Sequence, residues 1–368
     1  MRIASVTLFR ADLPLWTPFR HASSGLVTHL EEVLARIETQ DGVTGWGEVR
    51  GNCTYVTGDT PERLLAAASF LAPRLVGESL LELARLTDDM ERAVVGNSGA
   101  RALLDIALHD ALAQHLGVPL AVLLGGIRRR SLPTDTCIAF CPPGEAARQA
   151  QGALTEGYTL IKVRVGLSPE EDEARVSAVR RVLAERGSPA LLAADANGAW
   201  TPKEALAVLR RLEPHGLAFI EQPVPGEDTA GLRFVRERSP VPVMADESAA
   251  SPRAVLRIIE TGAADMLHLK LIKAGGFVPL RRMTGMAEAA GVPYMIGQMD
   301  EGMLATAAAV HAGAASAARY FEVHCDKGVS AQPFSGLRFE AGCMVLPEAP
   351  GLGVAVEEGS LTPVARFP

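Results

Sequence analysis

The sequence predicts an α/β protein centred on a parallel (β/α) barrel. Between about 131 and 325, strand-like apolar runs near 133–140, 159–165, 190–195, 217–221, 241–245, 264–271, 293–297 and 319–324 alternate with amphipathic segments such as Pro169 to Arg186 and Pro202 to Leu212. Such a repeat suits a barrel better than a doubly wound sheet. A doubly wound nucleotide-binding sheet would also carry a Gly-rich phosphate loop after an early strand, and neither GxGxxG nor GxxxxGK[ST] occurs. Finally, ionisable residues stand at the C-terminal ends of the apolar runs, where barrel active sites lie. They occur in Ile161-Lys162-Val163-Arg164-Val165, Ala194-Asp195-Ala196-Asn197, Phe219-Ile220-Glu221, Ala245-Asp246-Glu247 and Leu267-His268-Leu269-Lys270.

Ahead of the barrel, residues 1–130 read as α+β. Ile3 to Arg10 and Val33 to Glu38 alternate as strands, and Gly42-Val43-Thr44-Gly45-Trp46-Gly47-Glu48 is a turn leading into a third. Pro61 opens an Ala/Leu-rich helix to about Leu75, and a second long helix runs from Ala100 to Leu116 and stops at Gly117. His21 to Thr28 and Arg50 to Thr60 are polar, glycine-containing loops of a length that invites a functional reading. The barrel is expected over 131–325. The tail, 326–368, returns to turns and short strands punctuated by Pro347, Pro350, Gly351 and Gly353, and is expected to pack back on the N-terminal part.

Composition narrows the function classes. A chain of 368 residues, 48% hydrophobic and 21% charged, has ample material for a core. The net charge is −7, the basic cluster Arg128-Arg129-Arg130 is short, and aromatics make up 5%, so a nucleic-acid partner is not expected. Five cysteines, with no CxxC spacing, fit reduced thiols in a cytoplasm. No apolar run is long enough for a membrane span, and the start lacks the apolar core of a signal peptide, so a cytoplasmic protein is expected.

Strand alternation tests the site. Lys162 and Arg164 share one face of their strand while Ile161, Val163 and Val165 share the other, so the charges point into the barrel. Asp195 and Asn197 likewise share a face, as do His268 and Lys270. A charge inside a barrel is costly unless paired, metal-bound or catalytic. Asp195, Glu221 and Asp246 are each about one strand-plus-helix unit apart, which delivers three carboxylates to one place, and a hard cation is their simplest neutraliser.

In this order and spacing, Lys162-x-Arg164, Asp195-x-Asn197, Glu221-Gln222-Pro223, Asp246-Glu247-Ser248 and Lys270-Leu271-Ile272-Lys273-x-Gly275-Gly276 resemble the enolase superfamily, specifically its mandelate racemase/muconate lactonizing enzyme group. The likeness extends to Gly45-Trp46-Gly47-Glu48, to Ala102-Leu103-Leu104-Asp105-Ile106-Ala107-Leu108-His109-Asp110 and to Leu123-Leu124-Gly125-Gly126, so it spans nearly the whole chain. It implies a (β/α)7β TIM-like barrel with an N-terminal α+β capping domain completed by the C-terminal tail. It also implies Mg²⁺ held by Asp195, Glu221 and Asp246, loops 21–28 and 50–60 closing over a small carboxylate substrate, and a homo-oligomer, dimer or octamer. Lys270 on the sixth strand favours the muconate-lactonizing side, because the mandelate racemase side would show a histidine there. Asn197, Glu247, Asp300, Glu301, Glu322, His324, His21 and Tyr55 are the expected substrate-binding residues.

The chemistry implied is removal of a proton α to a carboxylate, with the enediolate held by fixed positive charge. Proteins of this group usually carry a lysine on each face of the substrate. Here Lys270 takes one face, but Arg164 occupies the other, and a guanidinium is a poor general base. Lys162 and Arg164 are then expected to hold the carboxylate or steady the enediolate. The expectation is a one-face reaction, dehydration of a small hydroxy acid. The alternatives are a racemase or epimerase of an amino-acid-like substrate, a cycloisomerase, and, in a different class, a non-catalytic binding or scaffold barrel.

Overall fold

The computed structural model describes residues 1–20, 22, 25–324 and 328–368. The expected substrate-binding residue His21 lies outside this set, as do Cys325 and Asp326. Eight strands form a single sheet in sequence order, every pair parallel: Thr136–Ile138, Leu160–Arg164, Leu191–Asp195, Ile220–Glu221, Val243–Ala245, Met266–Lys270, Tyr294–Gly297 and Tyr320–Glu322. A bridge between Thr134 and Phe321, with Asp135 N–H donating to Phe321 O at 2.9 Å, joins the first strand to the eighth and closes the barrel. Helices follow the first seven strands, among them Pro143–Thr155, Pro169–Glu185, Pro202–Leu212 and Phe277–Ala290, and the one after the seventh is Met303–Ala315. The architecture is therefore (β/α)7β.

Local sequence explains the helix starts. Ser168, Thr201 and Ser251 each cap a helix whose first residue is proline, and Thr201 with Glu204 completes a capping box. Proline there needs no N–H, and the hydroxyl takes one of the orphan donors that follow.

The N-terminal part forms an antiparallel sheet of Ile3–Phe19, Val27–Thr39 and Thr44–Arg50, and its fourth strand, Thr362–Phe367, comes from the tail. Ile3–Phe19 lies between Val27–Thr39 and the tail strand. Helix Ser98–Leu116 crosses this sheet at very close range. A Cβ on Gly45 would sit 2.3 Å from Ala111 N, and one on Gly47 2.1 Å from Leu103 O. Backbone contact of that kind is why Gly45-Trp46-Gly47 is needed. Other parts of the tail lie against the barrel instead, Cys343–Val345 pairing with Arg338–Glu340 and with Ser131–Pro133, and Asp110, buried in the long helix, accepts from Trp46 N–H and from the tail's Leu352 N–H, both at 2.7 Å.

Candidate active site

Leu160, Ala193, Phe219, Met244, Met266 and Met295 form an apolar plug inside the barrel. Two residues further along the strands, on the same inward side, come Lys162, Asp195, Glu221, Asp246, His268 and Gly297. The sequence thus switches from apolar to ionisable at one level of the barrel. Gly297 leaves room for its neighbour, since a Cβ there would lie 2.1 Å from His268 Nε2.

The charged layer is tightly interlinked. Lys162, fully buried, donates from Nζ to Glu221 Oε2 at 2.8 Å and to Glu322, and its Nζ is 3.6 Å from Asp135 Oδ2. Arg164 Nη1 donates to Asp195 and to Asn197 Oδ1 at 2.7 Å. Opposite, Lys270 Nζ donates to Asp246 Oδ2 at 3.0 Å and reaches Glu322 Oε1 at 3.4 Å. Lys273 donates to Asp246 and to His268 O at 3.0 Å. His268 Nδ1–H donates to Glu221 Oε1 at 2.7 Å.

These contacts set the protonation states. Burial works against the ammonium of Lys270, but Asp246, Glu322 and Glu221 outweigh it and hold its pKa well above the usual value. Lys162 is raised in the same way against its burial, by Glu221, Glu322 and Asp135. Burial pushes Asp195 up to about 7, with Glu221 adding to the push and Arg164 opposing it. Burial and the charges of Asp246 and Asp195 push Glu247 up to about 8. His268 is lowered by burial and by Lys270, which keeps it neutral.

The donor set fits a divalent cation. Six acids, Asp135, Asp195, Glu221, Asp246, Glu247 and Glu322, crowd against Lys162, Arg164, Lys270 and Lys273, and burial with mutual repulsion raises Asp135, Asp195 and Glu247, a strain that a bound cation would relieve. Ligand atoms of Glu221, His268 and Glu322 all lie within 4.8 Å of one another. A hard cation prefers oxygen, however, and His268 Nδ1 already serves Glu221, so the acids at the strand ends are the better donors.

The remaining predicted residues are distributed unevenly around this layer. Asn197 bridges Asp195 and Glu247, donating to Glu247 Oε1 at 3.2 Å. Tyr55, Asn197 and Glu247 line a cavity of about 440 Å³ beside the site. Glu322, expected to bind substrate, stands between the two lysines and pairs with both. Its near neighbour His324 has Nδ1 3.8 Å from Asp135 Oδ1. Glu301 turns toward the N-terminal sheet, accepting from Met299 N–H at 2.9 Å and Arg50 N–H at 3.4 Å. Asp300 Oδ2 is 3.9 Å from Arg50 Nη1. Asn197, Gln222 and Asp300, which follow the third, fourth and seventh strands, have φ of 44°, 36° and 48°. Non-glycine residues held in that left-handed region concentrate where function fixes the backbone.

Two buried residues are missing from the sequence-derived set. Asp135 lies inside the first predicted strand, where an acid was the same signal read elsewhere. Arg50, fully buried, donates to Met299 O at 3.2 Å and ties the N-terminal sheet to the loop after the seventh strand.

Residues 3–125 match the family model described as mandelate racemase/muconate lactonizing enzyme, N-terminal domain, and residues 145–360 match the enolase C-terminal domain-like model. The chain belongs to the mandelate racemase/muconate lactonizing enzyme family of the enolase superfamily. Within this family it is 35% identical to an L-Ala-D/L-Glu epimerase of Bacillus subtilis, over 96% of this chain and 97% of that one. It is 33% identical to muconate cycloisomerase 1 of Rhodococcus opacus, over 96% of each. The crystal structure of a dipeptide epimerase from Enterococcus faecalis, complexed with Mg and L-Leu-L-Tyr, superposes with a TM-score of 0.91 at 30% identity, over 96% of this chain and 100% of that one. As family members these relatives are enzymes of the isomerase type, and no described helix here is long and apolar enough to cross a membrane.

Proposed function

We propose that the protein is a Mg²⁺-dependent epimerase or racemase of a small amino-acid-derived carboxylate. Asp195, Glu221 and Asp246 would hold the cation, which when bound supplies positive charge for the developing enediolate. Lys270 removes the α-hydrogen from one face. Lys162 returns a proton to the other, and becomes the base when the opposite stereoisomer is bound. Arg164 stays protonated and holds negative charge. Acid and base are each restored after a forward and a reverse turnover.

One observation carries this reading: the ammonium groups of Lys162 and Lys270 reach the same carboxylate, Glu322, from the second and sixth strands. Two lysines converging on one point from facing walls supply an acid and a base across a substrate. Dehydration, the expectation drawn from Arg164, is withdrawn. It assumed a single basic face, whereas Lys162 is here proposed to serve the second, and the epimerases and the cycloisomerase among the relatives support isomerisation.

The test is proton NMR in D₂O with MgCl₂, using both stereoisomers of dipeptides and of N-succinyl amino acids. Epimerisation requires loss of the α-proton signal together with interconversion of the stereoisomers. Cycloisomerisation is the second reading, favoured by the fixed guanidinium of Arg164. It requires conversion of muconate to its lactone with no interconversion of stereoisomers. If neither conversion is seen under any of these conditions, the proposal fails.

A further inference from the structure

Asp135 stands immediately before the first barrel strand and is fully buried. Neither of its side-chain oxygens has a hydrogen-bond partner among the described residues. A buried carboxyl group without a hydrogen-bond partner is costly, so a folded chain that keeps one calls for a specific reason. Register gives its direction. Cys137 pairs with Lys162 across the parallel ladder, and Asp135, two residues earlier, points to the same inner side.

The Lys162 ammonium therefore meets three acids: Glu221 from the fourth strand, Glu322 from the eighth and Asp135 from the first. Glu221 belongs to the proposed cation-binding set, and a carboxylate that engages a divalent ion loosens its hold on an ammonium. Glu322 is shared with Lys270. Asp135 is the acid of the three that Lys162 shares with neither the cation nor the other lysine. At 3.6 Å it attracts the ammonium without locking it in a hydrogen bond.

We propose that Asp135 is a positioning residue, which keeps Lys162 on the substrate face opposite Lys270 once Glu221 is engaged and thereby sets the rate of proton delivery to that face. The inference rests on the epimerase reading. Asp135 itself need not exchange a proton: burial and the charge of Glu322 raise its carboxyl and Lys162 opposes them, so the group acts through its 3.6 Å approach to Lys162, which performs the transfer.

Asp135→Asn preserves the shape and replaces the carboxyl beside Lys162 with an amide that cannot pair with an ammonium as an acid does. The full chain with MgCl₂ is tested in D₂O on L-alanyl-L-glutamate and L-alanyl-D-glutamate, one of which is identified as the Lys162-face substrate because its exchange survives Lys270→Ala. Exchange of that stereoisomer should fall roughly 10- to 100-fold, the scale on which misplaced catalytic groups lose rate, while the other changes by less than about two-fold and KM is unchanged. Equal losses on both faces, or no loss, overturn the proposal. Wild-type protein inactive on both probes counts against the epimerase reading. The positioning role is then decided by a crystal structure of Asp135→Asn grown with MgCl₂. Lys162 Nζ should have moved away from the first strand, and an unmoved ammonium overturns the inference. If this variant does not fold, Asp135→Ser goes through the same two measurements.

Discussion

Arg164 Nη1 donates to Asn197 Oδ1 at 2.7 Å, binding the end of the second barrel strand to the loop after the third. The same nitrogen pairs with Asp195, so the guanidinium is held on two sides and cannot swing as a free lysine would. Arg164→Lys shortens that reach and introduces an amine able to cycle a proton. Exchange on the Lys162 face should rise several-fold in the variant, on the scale a single positioned base contributes. No gain, measured by proton NMR in D₂O, would show that Arg164 does not occupy a base position.

Lys270→Ala should reduce exchange of one stereoisomer by roughly 10²- to 10⁴-fold and leave the other measurable. Mg²⁺ binding by isothermal titration should persist, because the carboxylates proposed to hold the ion remain. Loss of exchange from both stereoisomers together would argue for a single base that serves both faces.

Adding MgCl₂ to chelator-treated protein should raise Tm, since a ligand at about a hundred-fold excess over its Kd stabilises by about 2.7 kcal/mol. Asp195→Asn, Glu221→Gln and Asp246→Asn should each weaken or abolish the shift, read by differential scanning fluorimetry. Were the ligands instead Glu221, His268 and Glu322, which also converge, Asp195→Asn would leave the shift intact.

Acid should loosen the C-terminal segment through His311. Its Nδ1 accepts from Ala121 N–H at 3.1 Å, so Nε2–H is the donor to Leu352 O at 3.1 Å. Burial lowers this imidazole from 6.5 to about 4, partly offset by the bond to Leu352. Because the folded-state value is depressed, its stabilisation is present above pH 6.5 and is lost as pH falls toward 4. The loss is on the order of 3 kcal/mol. His311→Asn should flatten the urea-denaturation profile across that window, whereas an unchanged slope would assign the acid sensitivity to other groups.

Much of this was legible in the sequence because barrels repeat. Alternation alone turned Lys162 and Arg164 inward, and amphipathic periodicity marked out Pro202–Leu212. Weak local patterns were harder to read. Helix Leu83–Ala93, which buries Leu86, Thr87 and Met90, was not among the expected elements. The first and fourth barrel strands are just Thr136–Ile138 and Ile220–Glu221, shorter than their apolar runs suggest. Asp135 stands at the start of the predicted strand 133–140 rather than at its C-terminal end, where the other ionisable residues lie, and closure against Phe321 places it inside. Glu322 was expected to bind substrate, and no local pattern shows that lysines from two other strands converge on it.

The strand pairing of Val6 through Arg10 with Thr362 through Phe367 bears on how the molecule is made. At a ribosomal rate of about 5–20 residues per second, the N-terminal strands emerge tens of seconds before the segment that completes their sheet. Through that interval Ile3–Phe19 is an open edge bearing Val6, Leu8 and Phe9, able to template pairing with another nascent chain. Losing 362–367 would make that transient state permanent. A truncated chain is thus expected to aggregate during synthesis, even though every residue of the charged barrel layer would still be present.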